Sequence, residues 1–231
     1  MRKENLQLGQ IIHTYRKAQG MTLEDLAKRI CKSKSTMGKY EQGLISVELS
    51  VMLDLAEALG IRPQQLLAGI ENHESQKHGV SKEGFYRYLY SYEGFSHRIM
   101  RGLMVISDPD DNHSPVSLFF DIPSFDEPEK CRALYTGEQE CHETLTKYIL
   151  KKRGGIESPQ LCFSKPLDYM GMESGMFFGI SSRTQQPVAL KCIISDSKIT
   201  ENEQLTEQLK ISSEDLRITK KINQFVTEPV F

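Results

Sequence analysis

The 231-residue sequence predicts two domains. The first is an all-α head of five short helices with a helix-turn-helix at its centre. The second is an α+β domain dominated by an antiparallel sheet or open barrel, with C-terminal helices. Three observations predict this. Apolar residues follow a helical period from Leu8 to Leu67 and a period of two from Phe85 onward. Between the two regimes, residues 70–84 are polar and poor in apolar side chains, which is the composition of a linker. The length allows each domain a core of its own. The expected boundaries are therefore 1–69 for the head, 70–84 for the linker and 85–231 for the β-rich domain.

In the head, Leu8, Ile11, Ile12 and Tyr15 give a first amphipathic helix ending at Gly20. Thr22 is an N-cap candidate for the second, and Asp25 three positions on completes a capping-box pattern. Leu26, Ala27 and Ile30 are its buried stripe, and residues 31–33 make the turn. Ser33 caps a third helix that turns Met37 and Tyr40 inward and Lys34, Ser35 and Lys39 outward, with Gly43 as its C′ residue. Ser46 starts a fourth helix whose apolar face is Leu49, Met52, Leu53, Leu55, Ala56 and Leu59, ended by Gly60. Residues 62–67 form a short fifth helix with Pro63 in its first turn. Two capped helices around a tight turn, the second with polar outward side chains, have the geometry that enters a DNA major groove.

This pattern resembles the Cro/repressor, or XRE, type of helix-turn-helix over residues 5–69. The matching residues are Leu8-Gly9-Gln10-Ile11-Ile12, Arg16, Gly20, Thr22, Leu26-Ala27, Ser33 to Thr36, Glu41, Gly43 and Leu55 to Gly60. The resemblance implies double-stranded DNA as the partner, with Lys34, Ser35 and Lys39 facing base edges. It implies backbone contacts from Thr22, Ser33, Thr36 and Gln42, and a pairing of Arg16 with Glu41 that ties the first helix to the third. The sequence departs from the family at Leu23, where Gln is usual. Cys31 replaces the turn Gly, Lys32 replaces an apolar residue, and residues 44–47 lack the basic side chains that relatives often carry. Fewer phosphate contacts follow, so one head binds weakly and a homodimer reading two half-sites is expected.

In the second domain, strict alternation at Tyr86, Tyr88, Tyr90 and Tyr92 predicts a strand with an all-tyrosine face, a candidate pocket or dimer interface. Further strands are expected at 98–106, 116–121, 131–136, 141–151, 160–165, 176–181 and 188–195, and helices at 201–210 and 213–226. Turn signals fall at 108–112, Thr136-Gly137, Gly154-Gly155, Ser158-Pro159, Lys165-Pro166 and Gln186-Pro187. The stretch 138–152 fits one helix face (Cys141, Leu145, Tyr148, Ile149) as well as it fits a strand. No family resemblance extends over 80–231.

Residues 1–70 carry 10 Lys+Arg against 7 Asp+Glu, leaving 19 against 24 of the chain's 29 and 31 for the remainder. A mildly basic head on an acidic body suits a DNA reader whose body repels phosphate. Five widely spaced cysteines without a C-x-x-C suit reduced thiols. With no apolar run of ~18 residues and no signal-peptide core, a cytoplasmic protein without membrane contact is expected.

Three chemical patterns are weak. Cys141 and His142 would point to opposite faces of a strand and so would not share a metal with Cys131. Asp108 to His113 echoes a calcium loop but lacks its Gly and its Glu. Ala68-Gly69, with Ser174 and Lys191, resembles self-cleaving repressors only in part. No enzyme activity, metal or cofactor is expected. The expected function is a sequence-specific DNA-binding transcriptional regulator, a homodimeric repressor whose C-terminal domain dimerises or senses a small-molecule effector. The alternative is a protein-interaction regulator, antitoxin-like or a phage regulatory factor, whose C-terminal domain holds a protein partner.

Overall fold

A computed structural model describes residues 3–67, 86–107, 113–165, 171–181 and 184–225. The predicted linker 70–84, the Ala68-Gly69 bond, the 108–112 turn, Pro166 and the end of the predicted last helix lie outside the described residues.

The head holds α1 (Lys3–Ala18), α2 (Leu23–Arg29), α3 (Lys34–Glu41), α4 (Leu49–Leu59) and α5 (Pro63–Leu67). Ile12, Leu26, Met37, Leu55, Leu59 and Leu66 are fully buried at its centre. The α4 face differs from the sequence expectation. Val51, Leu55, Ala56, Ala58 and Leu59 are buried, whereas Leu49 and Leu53 are exposed. The helix starts at Leu49 after Glu48 rather than at Ser46, and the inward stripe is set by the neighbours α4 meets.

The second domain is a closed antiparallel barrel in sequential order. Its strands are β1 (Tyr86–Glu93), β2 (Arg98–Ile106), β3 (His113–Ile122), β4 (Ala133–Cys141), β5 (Leu145–Lys152), β6 (Gln160–Ser164), β7 (Met172–Ile180) and β8 (Pro187–Ser195). Closure comes from β1 pairing with β8, through Tyr88↔Ser195 to Ser91↔Cys192. Leu89, Met104, Leu118, Tyr148, Phe163 and Cys192 fill the interior, as side chains do in barrels of this strand number. Deeper on one side, the buried Arg87 guanidinium donates to Glu173 at 2.9 Å and lies 2.7 Å from Asp196.

Two predictions about β4 and β5 need correction. Thr136-Gly137 is no turn: it lies inside β4, where Gly137 pairs with Val116 and Leu150. A Cβ on Gly137 would fall 1.9 Å from the Ile149 carbonyl oxygen, so glycine here permits close strand approach. The helix-or-strand ambiguity at 138–152 resolves into strands, with Thr146, Tyr148 and Leu150 buried alternately along β5. Inside the barrel these residues meet partners on β4 and β6, and cross-strand pairing overrides a pattern that also fits a helix.

Outside the barrel, α6 (Glu203–Leu209) packs Leu205 and Leu209 over Tyr90 and Ile193. The capped α7 (Ser213–Ile222) follows, bound back to β8 by Lys191 and Asp215 at 3.1 Å. The head lies against the outer wall of β2, β3 and β4. Leu103, Phe119 and Leu134 of that wall belong to the same apolar cluster as the head core, so the two domains share buried surface. Arg153, on the β5–β6 connection, donates to the Ala58 carbonyl at the end of α4.

Candidate nucleic-acid interface

The two helices of the candidate interface are built by their caps. Thr22 accepts from the Asp25 N–H at 3.1 Å and donates its hydroxyl to the Asp25 carboxylate at 2.6 Å, while the Thr22 N–H returns to Asp25. This holds the Asp25 carboxyl below the usual carboxylate range, the Thr22 hydrogen bonds being the main cause. At the other end of α2, Cys31 takes a left-handed φ of 52°. Its N–H reaches the Lys28 carbonyl, and the Lys32 N–H reaches that of Ala27. This is a Schellman ending of the kind glycine usually makes. Ser33 then starts α3 by accepting from the Thr36 N–H at 3.0 Å.

The outward face of α3 presents Lys34, Ser35 and Lys39, all exposed, while Met37 and Tyr40 are buried beneath. Gln42 is also exposed, just past the helix. The remaining backbone-contact candidates are partly engaged. The Thr22 hydroxyl serves its cap, and the Ser33 and Thr36 hydroxyls lie 2.9 Å apart in a hydrogen bond to each other. Leu23 is half-buried beside Gly38. Lys34 adds to the lowering of the Glu24 carboxyl, which the Lys28 ion pair dominates.

Arg16 fixes α3 to α1. Its Nε and Nη2 take the two oxygens of Glu41 at 2.5 and 2.8 Å, and its Nη1 donates to the Met21 carbonyl at 2.8 Å. Arg16 is 4% exposed, so the pair is formed out of water. His13, which the sequence gave no reason to single out, joins it with Nδ1 at 2.9 Å from Glu41. Gly9 lets the helices meet: a Cβ there would fall within 2.5 Å of the Tyr40 and Glu41 carbonyl oxygens. The outward face of α3 is thus an exposed polar strip on a helix locked from behind.

With that geometry in place, comparison decides the family of the head. The profile of the helix-turn-helix family HTH_3 matches residues 12–66. The head belongs to the HTH_3 family. Among solved structures, the HTH_3 head is similar to the restriction-modification controller protein C.AhdI from Aeromonas hydrophila. That likeness is at 34% identity, over 28% of this chain and 98% of that one, with a TM-score of 0.28. It is also similar to the clp gene regulator ClgR from C. glutamicum, at 20% identity over 35% and 100% of the chains, TM-score 0.29. An HTH_3 family transcriptional regulator from Vibrio cholerae covers 84% of this chain and 97% of its own at 15% identity, TM-score 0.28. Scores this low carry no argument about the barrel. No curated protein matches the chain.

The four tyrosines of β1 do share one face, the outer one, but they do not form a single site. Tyr86 and Tyr88 pack against the cluster shared with the head. Tyr90 is fully buried under α6, its hydroxyl accepting from the Ile199 N–H at 2.8 Å and its ring edge-on to Phe125. Tyr92 sits under Lys210, whose Nζ is 5.4 Å from the ring centroid. The chain's own segments cover most of the face that alternation marked as a pocket or interface. Lys191, the candidate dyad partner of Ser174, is occupied by Asp215. Cys131 precedes β4, after the turn Pro128–Lys130, and Cys141 ends that strand, so the strand's length separates them.

Proposed function

We propose that the protein is a sequence-specific DNA-binding transcriptional regulator, a repressor working as a homodimer, and that its activity is binding rather than catalysis. One observation carries this reading: an HTH_3 helix-turn-helix whose α3 offers Lys34, Ser35 and Lys39 to solvent while the buried Arg16–Glu41 pair fixes its angle. Lysines at these positions can donate to guanine O6 and N7 or sit on phosphates. Selection of bound duplexes from a randomised pool tests it. Enrichment of an inverted repeat that is lost in a Lys34→Ala/Lys39→Ala double variant is the expected result. Absence of enrichment with folded protein would overturn it.

The homodimer draws support from α7. Asp215 is its one buried residue, and Leu216 and Ile222 are exposed, with Ile211 before the helix and Phe225 after it. A second copy covering these exposed apolar side chains would set two heads on one duplex and add their phosphate contacts. Sedimentation tests the contact: a dimer that becomes monomeric in Leu216→Glu/Ile222→Glu is expected, and a monomeric parent protein would sink the idea. The barrel is assigned the sensing role, and ligand binding would then act by favouring one head spacing over another.

A further inference from the structure

The interior of the barrel is filled along most of its length but opens at the end where β1–β2, β3–β4, β5–β6 and β7–β8 turn. A cavity of about 290 Å³ lies there, at the small end of the range for ligand sites. Its floor is aromatic. The rings of Phe120 and Phe177 stack at 5.1 Å with an interplanar angle of 13°, and Tyr135 stands edge-on to Phe120 at 6.3 Å.

The rim is charged, and its charges are unequally engaged. Asp121, held at a left-handed φ of 56°, accepts both arms of Arg98 at 2.6 and 2.8 Å. Glu157 accepts from the Tyr135 hydroxyl at 2.7 Å and pairs with Lys152 at 3.0 Å. Glu93 pairs with Arg98 at 3.2 Å. Each rim carboxylate therefore already has a cationic partner. Arg132 is different: its side chain is 54% exposed and stops 3.8 Å from Asp121, beyond hydrogen-bond reach. This loose ion pair, with no hydrogen bond in it, leaves the donors of the Arg132 guanidinium open to a ligand at the mouth.

We propose that this barrel mouth binds a small aromatic anion, its ring against Phe120 and Phe177 and its carboxylate or sulfonate on Arg132. A guanidinium takes two oxygens of either anion bidentately. The proposal rests on the sensing role given to the barrel above and names the ligand class. The same chain segment also reaches the head. The Arg132 N–H donates to the Phe120 carbonyl at 3.0 Å. Just before it, the 3-10 turn Pro128–Lys130 packs on α1, and Phe125 and Cys131 join the cluster shared with the head core. Occupancy of the mouth is thereby coupled to the helix that carries Arg16.

The test uses the full chain without DNA, so its outcome is separate from that of the duplex selection. The probes are 1-anilinonaphthalene-8-sulfonate and its uncharged analogue N-phenyl-1-naphthylamine, followed by fluorescence. One sulfonate probe per chain is expected. Arg132→Gln should weaken it about tenfold while leaving the uncharged probe unchanged. Leu190→Trp, which fills the cavity, should remove both. Val188→Phe blocks the same opening should Leu190→Trp fail to fold. Fluorescence that is absent, or indifferent to Arg132→Gln and to the filling variant, overturns the site. Hydrogen exchange of residues 3–18 reads the coupling: slowing with saturating probe is expected, and unchanged exchange overturns it.

Discussion

Tyr15 on α1 donates its hydroxyl proton to Ser117 Oγ on β3, at 3.1 Å, in a buried bond between residues 102 positions apart. The Gln65 side-chain amide donates to the same oxygen, and the Tyr15 ring packs on Phe119 at 5.4 Å. Head and barrel thus meet through a polar knot set in apolar surface. Ser117→Ala leaves both donors without an acceptor and is expected to destabilise the chain by about 1–3 kcal/mol. Tyr15→Phe, which removes one donor and leaves its partner other bonds, is expected to cost about 1 kcal/mol. Denaturant midpoints check both, and equal losses would contradict the shared acceptor.

Glu41→Ala is expected to cost about 3–5 kcal/mol, because it strands a guanidinium that is 4% exposed. The effect exceeds that of Lys34→Ala, whose side chain is in solvent. A loss under 1 kcal/mol in thermal unfolding would mean that water reaches Arg16.

Cys31→Gly is expected to stabilise the head. The left-handed φ of 52° costs a residue with a Cβ about 1–2 kcal/mol, and the added freedom of glycine in the unfolded chain takes back about 0.4–1 kcal/mol. A net gain of about 0.5–1 kcal/mol should appear as a raised Tm with unchanged DNA selection. A loss would mean that the Cys31 side chain has a role of its own.

Burial pushes the Cys131 thiol from 9.0 to about 11 and the Cys192 thiol to about 12. A raised folded-state value means that the neutral thiol is favoured by folding. Its contribution is complete below pH 9 and lost as pH climbs through 11 and 12. Denaturant midpoints should fall above pH 9, less steeply in Cys192→Ala. Exposed Cys31 should react with a thiol reagent first and buried Cys192 last.

The head was largely legible in the sequence because its signals are local. Thr22 and Asp25, or Ser33 and Thr36, lie within four positions of each other, and a cap is satisfied or not by neighbours that close. The alternation in β1 was equally local, and a strand followed; β5 needed its neighbours β4 and β6 to decide between helix and strand. What no window of sequence contained was which surface covers which. Leu49 and Leu53 look like core residues yet face out, while Tyr90, on a face read as a pocket or interface, is buried because α6 and Phe125 come from elsewhere in the chain. Gly137 reads as a turn until β5 runs beside it. The barrel mouth was hidden for the same reason: Phe120, Arg132 and Phe177 belong to three separate parts of the sequence and meet only once β1 pairs with β8. Periodicity and capping determined the helices of the head and most strands by themselves. Closure of the barrel, the seat of the head on it and the make-up of the cavity were decided by long-range burial, which depends on partners that local sequence does not specify.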